Sequence, residues 1–131
     1  MDDRRRPNPA LNQLVRSRAV DWKPLDEPGV TGVSVKVLRF DEAEKRAPTI
    51  LLRFDPGASY PVHSHPGGEE IFVLEGDVRL GKDSLQAGDY IYTAPHNVHG
   101  VRSEGGCVLL VSVPEEVEIL RGEVPAPPAL Q

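Results

Sequence analysis

The chain of 131 residues holds four histidines, and all of them fall between His63 and His99. Imidazole is the commonest protein ligand of transition metals and titrates near neutral pH, so this clustering points to metal binding or proton transfer. His63 and His65 stand two apart in a stretch that reads as a strand, where side chains alternate between faces, so both rings point the same way. Their Cα atoms are then roughly 6.5–7 Å apart, a gap that two imidazole arms close around one ion at ~2.0–2.2 Å. Glu69 follows across the turn Pro66-Gly67-Gly68, and a returning strand brings its carboxylate to the same place. His99 opens a later strand after Gly88-Asp89 and Ala94-Pro95, which a barrel sets beside the earlier pair. His63, His65 and Glu69 are thus three ligands of one site, and His99 is the candidate fourth.

An isolated surface histidine is usually only solvated, and that reading suits His96, which follows Pro95 in a tight turn and is expected on the rim. Glu70 faces away from Glu69 on a regular strand and is read as an exposed charge. Three imidazoles and one carboxylate suit one divalent transition metal per chain, whether Fe, Mn, Ni, Co, Cu or Zn. A six-coordinate ion held by four side chains keeps two positions for water, dioxygen or a chelating substrate. Tetrahedral zinc with all four is closed and structural. Tyr60, Phe72, Tyr92 and Arg53 are the candidates to line a cavity beside the ion.

Short strands must position these residues. From Thr31 onward Val33, Val35 and Val37 alternate with Ser34 and Lys36, the two-residue period of a strand with one buried face. Similar runs follow at Thr49-Phe54, Glu70-Glu75, Tyr90-Thr93, Val98-Arg102 and Val108-Val113. Between them stand Asp55-Pro56-Gly57, Gly76-Asp77, Gly81-Lys82 and Ala87-Gly88-Asp89, which read as turns. Evenly spaced short strands of this kind make an all-β sandwich or barrel. Leu11, Leu14 and Val15, with Arg16 and Arg18 opposite, fit about two turns of helix over Leu11–Val20. Pro114-Glu115-Glu116 before Val117, Ile119 and Leu120 leaves a last helical turn and an edge strand equally open. The expected division is a mobile arm with a short helix over residues 1–20, one barrel over 21–121 and a proline-rich tail over 122–131.

Composition narrows the function classes. With 39% hydrophobic and 27% charged residues, Gly 12 and Pro 13, the chain favours many short elements over a few long helices. Asp+Glu 20 against Lys+Arg 15 gives a net charge of -5, so neither nucleic acid nor a membrane surface is the expected partner. Cys107 is the only cysteine, which excludes an internal disulfide and makes a cytoplasmic location the expectation. Ile71-Phe72-Val73-Leu74 and Val108-Leu109-Leu110-Val111 are apolar on both strand faces, and a homodimer is expected to cover the outer one.

Gly57, five residues, His63-Ser64-His65, three residues, Glu69, six residues and Gly76 together resemble the first motif of the cupin superfamily, with every fixed position filled. The second motif is similar to Gly88 through His99, except that Ala94 stands where proline is usual and His96 where glycine is usual. Glu69-Glu70-Ile71-Phe72-Val73-Leu74-Glu75-Gly76, Trp22 and the Arg102-Ser103-Glu104-Gly105-Gly106-Cys107 segment resemble the ChrR-type cupins, named for the cupin-like domain of an anti-sigma factor. The resemblance runs from roughly Trp22 to Val113 and implies a small antiparallel double-stranded β-helix, a jelly-roll barrel, often dimeric. It also implies one metal held by residues matching His63, His65, Glu69 and His99.

Three functions follow from that resemblance. One is a metal-dependent enzyme, dioxygenase-like, acting on a small oxygenated or diketone-like molecule. Another is a non-catalytic zinc-bearing module that senses a small molecule or stress. The third is a cupin in which the ion only braces the fold.

Overall fold

The computed structural model describes residues 11–115 and the backbone of Glu118–Ile119; within them the alternating runs become nine strands of one antiparallel sheet. They are β1 (Lys23–Pro24), β2 (Thr31–Asp41), β3 (Arg46–Ser64), β4 (Glu69–Leu80), β5 (Asp83–Gln86), β6 (Tyr90–Thr93), β7 (Val98–Arg102), β8 (Cys107–Ser112) and β9 (Glu118–Ile119). β3 pairs with both β7 and β8, and each of these also pairs with β4, so the sheet closes on itself as a barrel. β2 and β1 extend it beyond β3, while β5 and β6 extend it beyond β4. Closure is driven by the alternation: Cys107, Leu109 and Val111 of β8 are buried against Phe54, Ile71 and Val73, while Val108, Leu110 and Ser112 face outward.

Two segments expected to be turns are bulges inside long strands. β3 runs through Asp55-Pro56-Gly57, pairing with β8 as far as Phe54 and with β7 from Ser59. Pro56 has no N–H to give a ladder, so it is tolerated at such a break, and the Gly57 N–H reaches Ser103 O instead, at 2.8 Å. β4 likewise continues through Gly76, where the backbone has φ 81. A Cβ at that position would overlap Gly106 O, so both conformation and space select glycine. Each long strand therefore serves four partners, β2, β7, β8 and β9 for β3 and β5, β6, β7 and β8 for β4, which is how so short a chain closes a barrel.

The expected helix over Leu11–Val20 does not form. Between residues 12 and 20 Ser17–Ala19 makes a single 3-10 turn, and Leu11 and Leu14 stay exposed. Two turns of helix do not overcome the cost of nucleation without an apolar surface to cover, and none lies beneath these leucines. The segment instead follows the outer edge of β2: the Gln13 side chain bonds both Phe40 N and Phe40 O, and Lys36 Nζ donates to Ser17 O. Trp22 sits between Lys36 and Arg53, each 4.7 Å from its ring centre. At the other end β9 pairs with His63 and Ser64 of β3, which gives the edge strand rather than the helical turn. The expected arm at residues 1–10 and tail at 122–131 lie outside the described residues. Among the described residues no helix is long and apolar enough to cross a membrane.

Candidate metal centre

The site is assembled where β3, β4 and β7 meet. His63 on β3 lies directly opposite His99 on β7, so the ladder itself places the two rings side by side, with centroids 4.9 Å apart. His65 is the residue after β3 ends, and Glu69 is the first residue of β4. The turn between them is fixed at the His65 carbonyl, which accepts from Gly68 N at 3.0 Å and from His96 N at 3.1 Å. All four expected ligands are thereby brought together and buried, with their candidate ligand atoms within 4.8 Å of one another.

His65 Nε2 lies 3.2 Å from His99 Nε2 and 3.0 Å from Glu69 Oε1, which is itself 3.5 Å from His99 Nε2. Donors on perpendicular bonds of ~2.1 Å to one ion stand about 3 Å apart, so these spacings fit a shared cation. Pro61 O can only accept, so His63 donates from Nδ1 to it at 2.8 Å and turns a bare Nε2 towards the cluster. Glu69 Oε1 is buried with no hydrogen bond of good geometry. Lone pairs that converge on a buried carboxylate oxygen lacking a partner are the arrangement that a divalent cation satisfies.

The electrostatics agree with a neutral His63 beside an ionised Glu69. Burial pushes His63 down to about 4; the bond to Pro61 opposes this, and the neighbouring His65 and His99 add to it. Burial works against ionisation of Glu69, but the His65 and His99 rings beside it outweigh that cost and hold its carboxyl at about 2. Both shifts favour the protonation states in which these groups ligate metals.

A cavity of about 170 Å³ inside the barrel reaches His63, His65 and Glu69. Its walls are mostly aliphatic, with Ile50, Leu52, Ile71, Leu109 and Val111 among them, together with Phe54. Of the four side chains expected to line it, only Tyr60 does. Phe72 and Tyr92 are exposed on the outer surface, and Arg53 stacks outside on Trp22. The reason is parity: Glu69, Ile71 and Val73 point inward, which turns Glu70, Phe72 and Leu74 outward, and Tyr92 pairs with Glu70. His96 is exposed in its turn at φ 69, as its place after Pro95 suggests. Sequence reasoning missed Leu25 and Glu27, which reach the cavity from the irregular segment between β1 and β2 and follow no periodic pattern.

Solved structures share this fold. The polyketide cyclase RemF from Streptomyces resistomycificus superposes with a TM-score of 0.68 at 24% identity, covering 85% of this chain and 87% of that one. An acetylacetone dioxygenase from Acinetobacter johnsonii gives a TM-score of 0.77 at 14% identity, over 86% of this chain and 80% of that one. The anti-sigma factor ChrR from Rhodobacter sphaeroides, solved in complex with SigE, gives 0.59 at 27% identity, covering 75% of this chain and 50% of that one. No curated protein matches the chain. Residues 11–115 match the family described as the ChrR cupin-like domain, and the chain belongs to that family.

Proposed function

We propose that this cupin binds one divalent transition metal through His63, His65, Glu69 and His99 and is a metal-dependent, dioxygenase-like enzyme acting on a small oxygenated molecule. The observation that carries this reading is the apolar cavity that ends on the buried His/Glu cluster. Drug-sized ligands occupy pockets of ~300–1,000 Å³. A space of about 170 Å³ fits something the size of a diketone or a phenol. A bound ion would supply a Lewis acid that anchors and polarises a substrate oxygen. The chain supplies the rest. Phe54, Ile71 and Leu109 exclude water, the Pro61 carbonyl orients His63, and Glu69 brings a negative charge that offsets part of the ion's.

A second reading, a zinc-bearing sensing module, is favoured by the family description and by the ChrR complex with SigE, in which a related chain meets a sigma factor. Metal content by ICP-MS on untagged protein, paired with oxygen consumption against small diketones and phenols, separates the two. A redox metal near one per chain with substrate-dependent oxygen uptake supports the enzyme; stoichiometric zinc without uptake supports the module.

We also propose that the protein is a cytoplasmic homodimer. Its single cysteine is buried and unpaired, which suits a reducing compartment. On the outer face of the sheet Tyr90, Phe72, Leu110 and Leu51 stand in one register line across β6, β4, β8 and β3, a stripe that a second copy would cover.

A further inference from the structure

The cavity wall is apolar except at the metal cluster and at one other place. Leu25 and Glu27 enter it from the strap that joins β1 to β2. The strap is held by backbone bonds from Leu25 N to Val33 O at 2.9 Å and from Val30 N to Glu27 O at 3.1 Å. Gly29 lies against the Pro61 ring, and Pro61 O orients His63. Glu27 Oε1 accepts a hydrogen bond from Tyr60 Oη at 3.3 Å, and the Tyr60 ring meets the His63 ring edge-on with centroids 4.9 Å apart. One phenol ring therefore spaces the Glu27 carboxylate from the metal cluster. Among the described residues no lysine, arginine or histidine pairs with Glu27.

Glu27 is half-exposed at the cavity wall, and a carboxylate there, with one neutral donor and no cation beside it among the described residues, offers a charge-assisted bond to a cationic group on a ligand that enters the cavity. We infer that Glu27 is a specificity-determining residue, and that the cavity takes small molecules with chelating oxygens at one end and a cationic amine at the other. This inference rests on the proposed metal site. The amine docks on Glu27 while the oxygens face the histidines, and Tyr60 holds the carboxylate in place. An anionic group at the same end meets the carboxylate and is rejected.

The test uses cobalt(II)-loaded full-length protein, titrated by visible absorption with three catechols of similar size: 4-(aminomethyl)catechol, 4-methylcatechol and 3,4-dihydroxybenzoate. Wild type should bind the amine at least tenfold more tightly than the carboxylate, with the methyl compound between them. Glu27→Gln, with unchanged cobalt content and circular dichroism, should shrink that ratio at least fivefold. Tyr60→Phe should keep the preference for the amine, because the carboxylate remains. A ratio unchanged in Glu27→Gln, or a wild-type preference for the carboxylate, overturns this inference and leaves the metal site standing. Failure of wild type to take up cobalt overturns the metal site and this inference with it.

Discussion

His63 and His99 are cross-strand partners on β3 and β7, with ring centroids 4.9 Å apart and ring planes at 80°. The first half of the site and its last member are therefore joined by the same ladder that closes the barrel. The proposed metal site and barrel closure share residues, so changes at the site are expected to register in stability as well as in metal content.

Replacing a proposed ligand should empty the site. His63→Ala, His65→Ala, Glu69→Ala and His99→Ala are each expected to lower bound metal at least tenfold, read by ICP-MS after purification without chelators. His96→Ala should keep the wild-type stoichiometry, because the His96 side chain is exposed and only its backbone N–H touches His65. Loss of metal in His96→Ala with retention in His99→Ala would exchange the roles assigned to these two residues.

Acid should destabilise the metal-free protein. The folded state holds His63 at about 4, below its ordinary 6.5, so the unfolded chain binds the proton more readily and stability rises with pH. The His63 contribution is complete above about pH 6.5 and is lost on descent towards about 4; Glu69, held at about 2, loses its own between about 4.5 and 2. Between pH 7 and pH 5 the His63 part amounts to about 2 kcal/mol. Urea unfolding in EDTA should show this loss in wild type and a smaller one in His63→Gln. Parallel pH profiles for the two proteins would refute the assignment.

Gly76 should be irreplaceable and Gly88 only preferred. Gly76→Ala adds both a left-handed strain and a clash with the Gly106 backbone, and is expected to cost about 3 kcal/mol or more. Gly88 has φ 93 but open space around its Cβ position, so Gly88→Ala should cost about 1–2 kcal/mol. Equal midpoints in chemical denaturation would show that the Gly106 contact yields freely.

The outer stripe predicts self-association. Light scattering after size exclusion should give a dimer at micromolar concentration for wild type, and a monomer for Phe72→Glu and Leu110→Glu. Both side chains lie on the stripe and outside the cavity lining, so metal content should stay unchanged. A wild-type monomer would count against the proposed homodimer.

The cluster was legible in the sequence because a two-residue period and a Pro-Gly-Gly turn fix directions within a few residues, and because His99 follows the turn at Pro95. Phe72 was expected in the cavity although Glu69, by fixing the parity of β4, already turns it to the outer surface. The bulges at Asp55-Pro56-Gly57 and Gly76 were read as turns because proline and glycine mark both, and only the partner strand tells them apart. The amphipathic spacing of Leu11–Val20 misled, since periodicity records a helix's potential face and not whether anything covers it. Glu27 left no local trace, because its place in the cavity depends on how an irregular strap packs against Pro61 and Tyr60.

The Gln13 side chain engages Phe40 through both an amide donor and an amide acceptor, standing in for a neighbouring peptide at the open side of β2. An edge strand with unpaired backbone groups is a template for strands of other molecules, and this one residue occupies it at Phe40. Chains shortened past Gln13 would leave this stretch of edge open to strands of other molecules, so an adhesive margin is expected to appear even where the barrel and its histidines are intact.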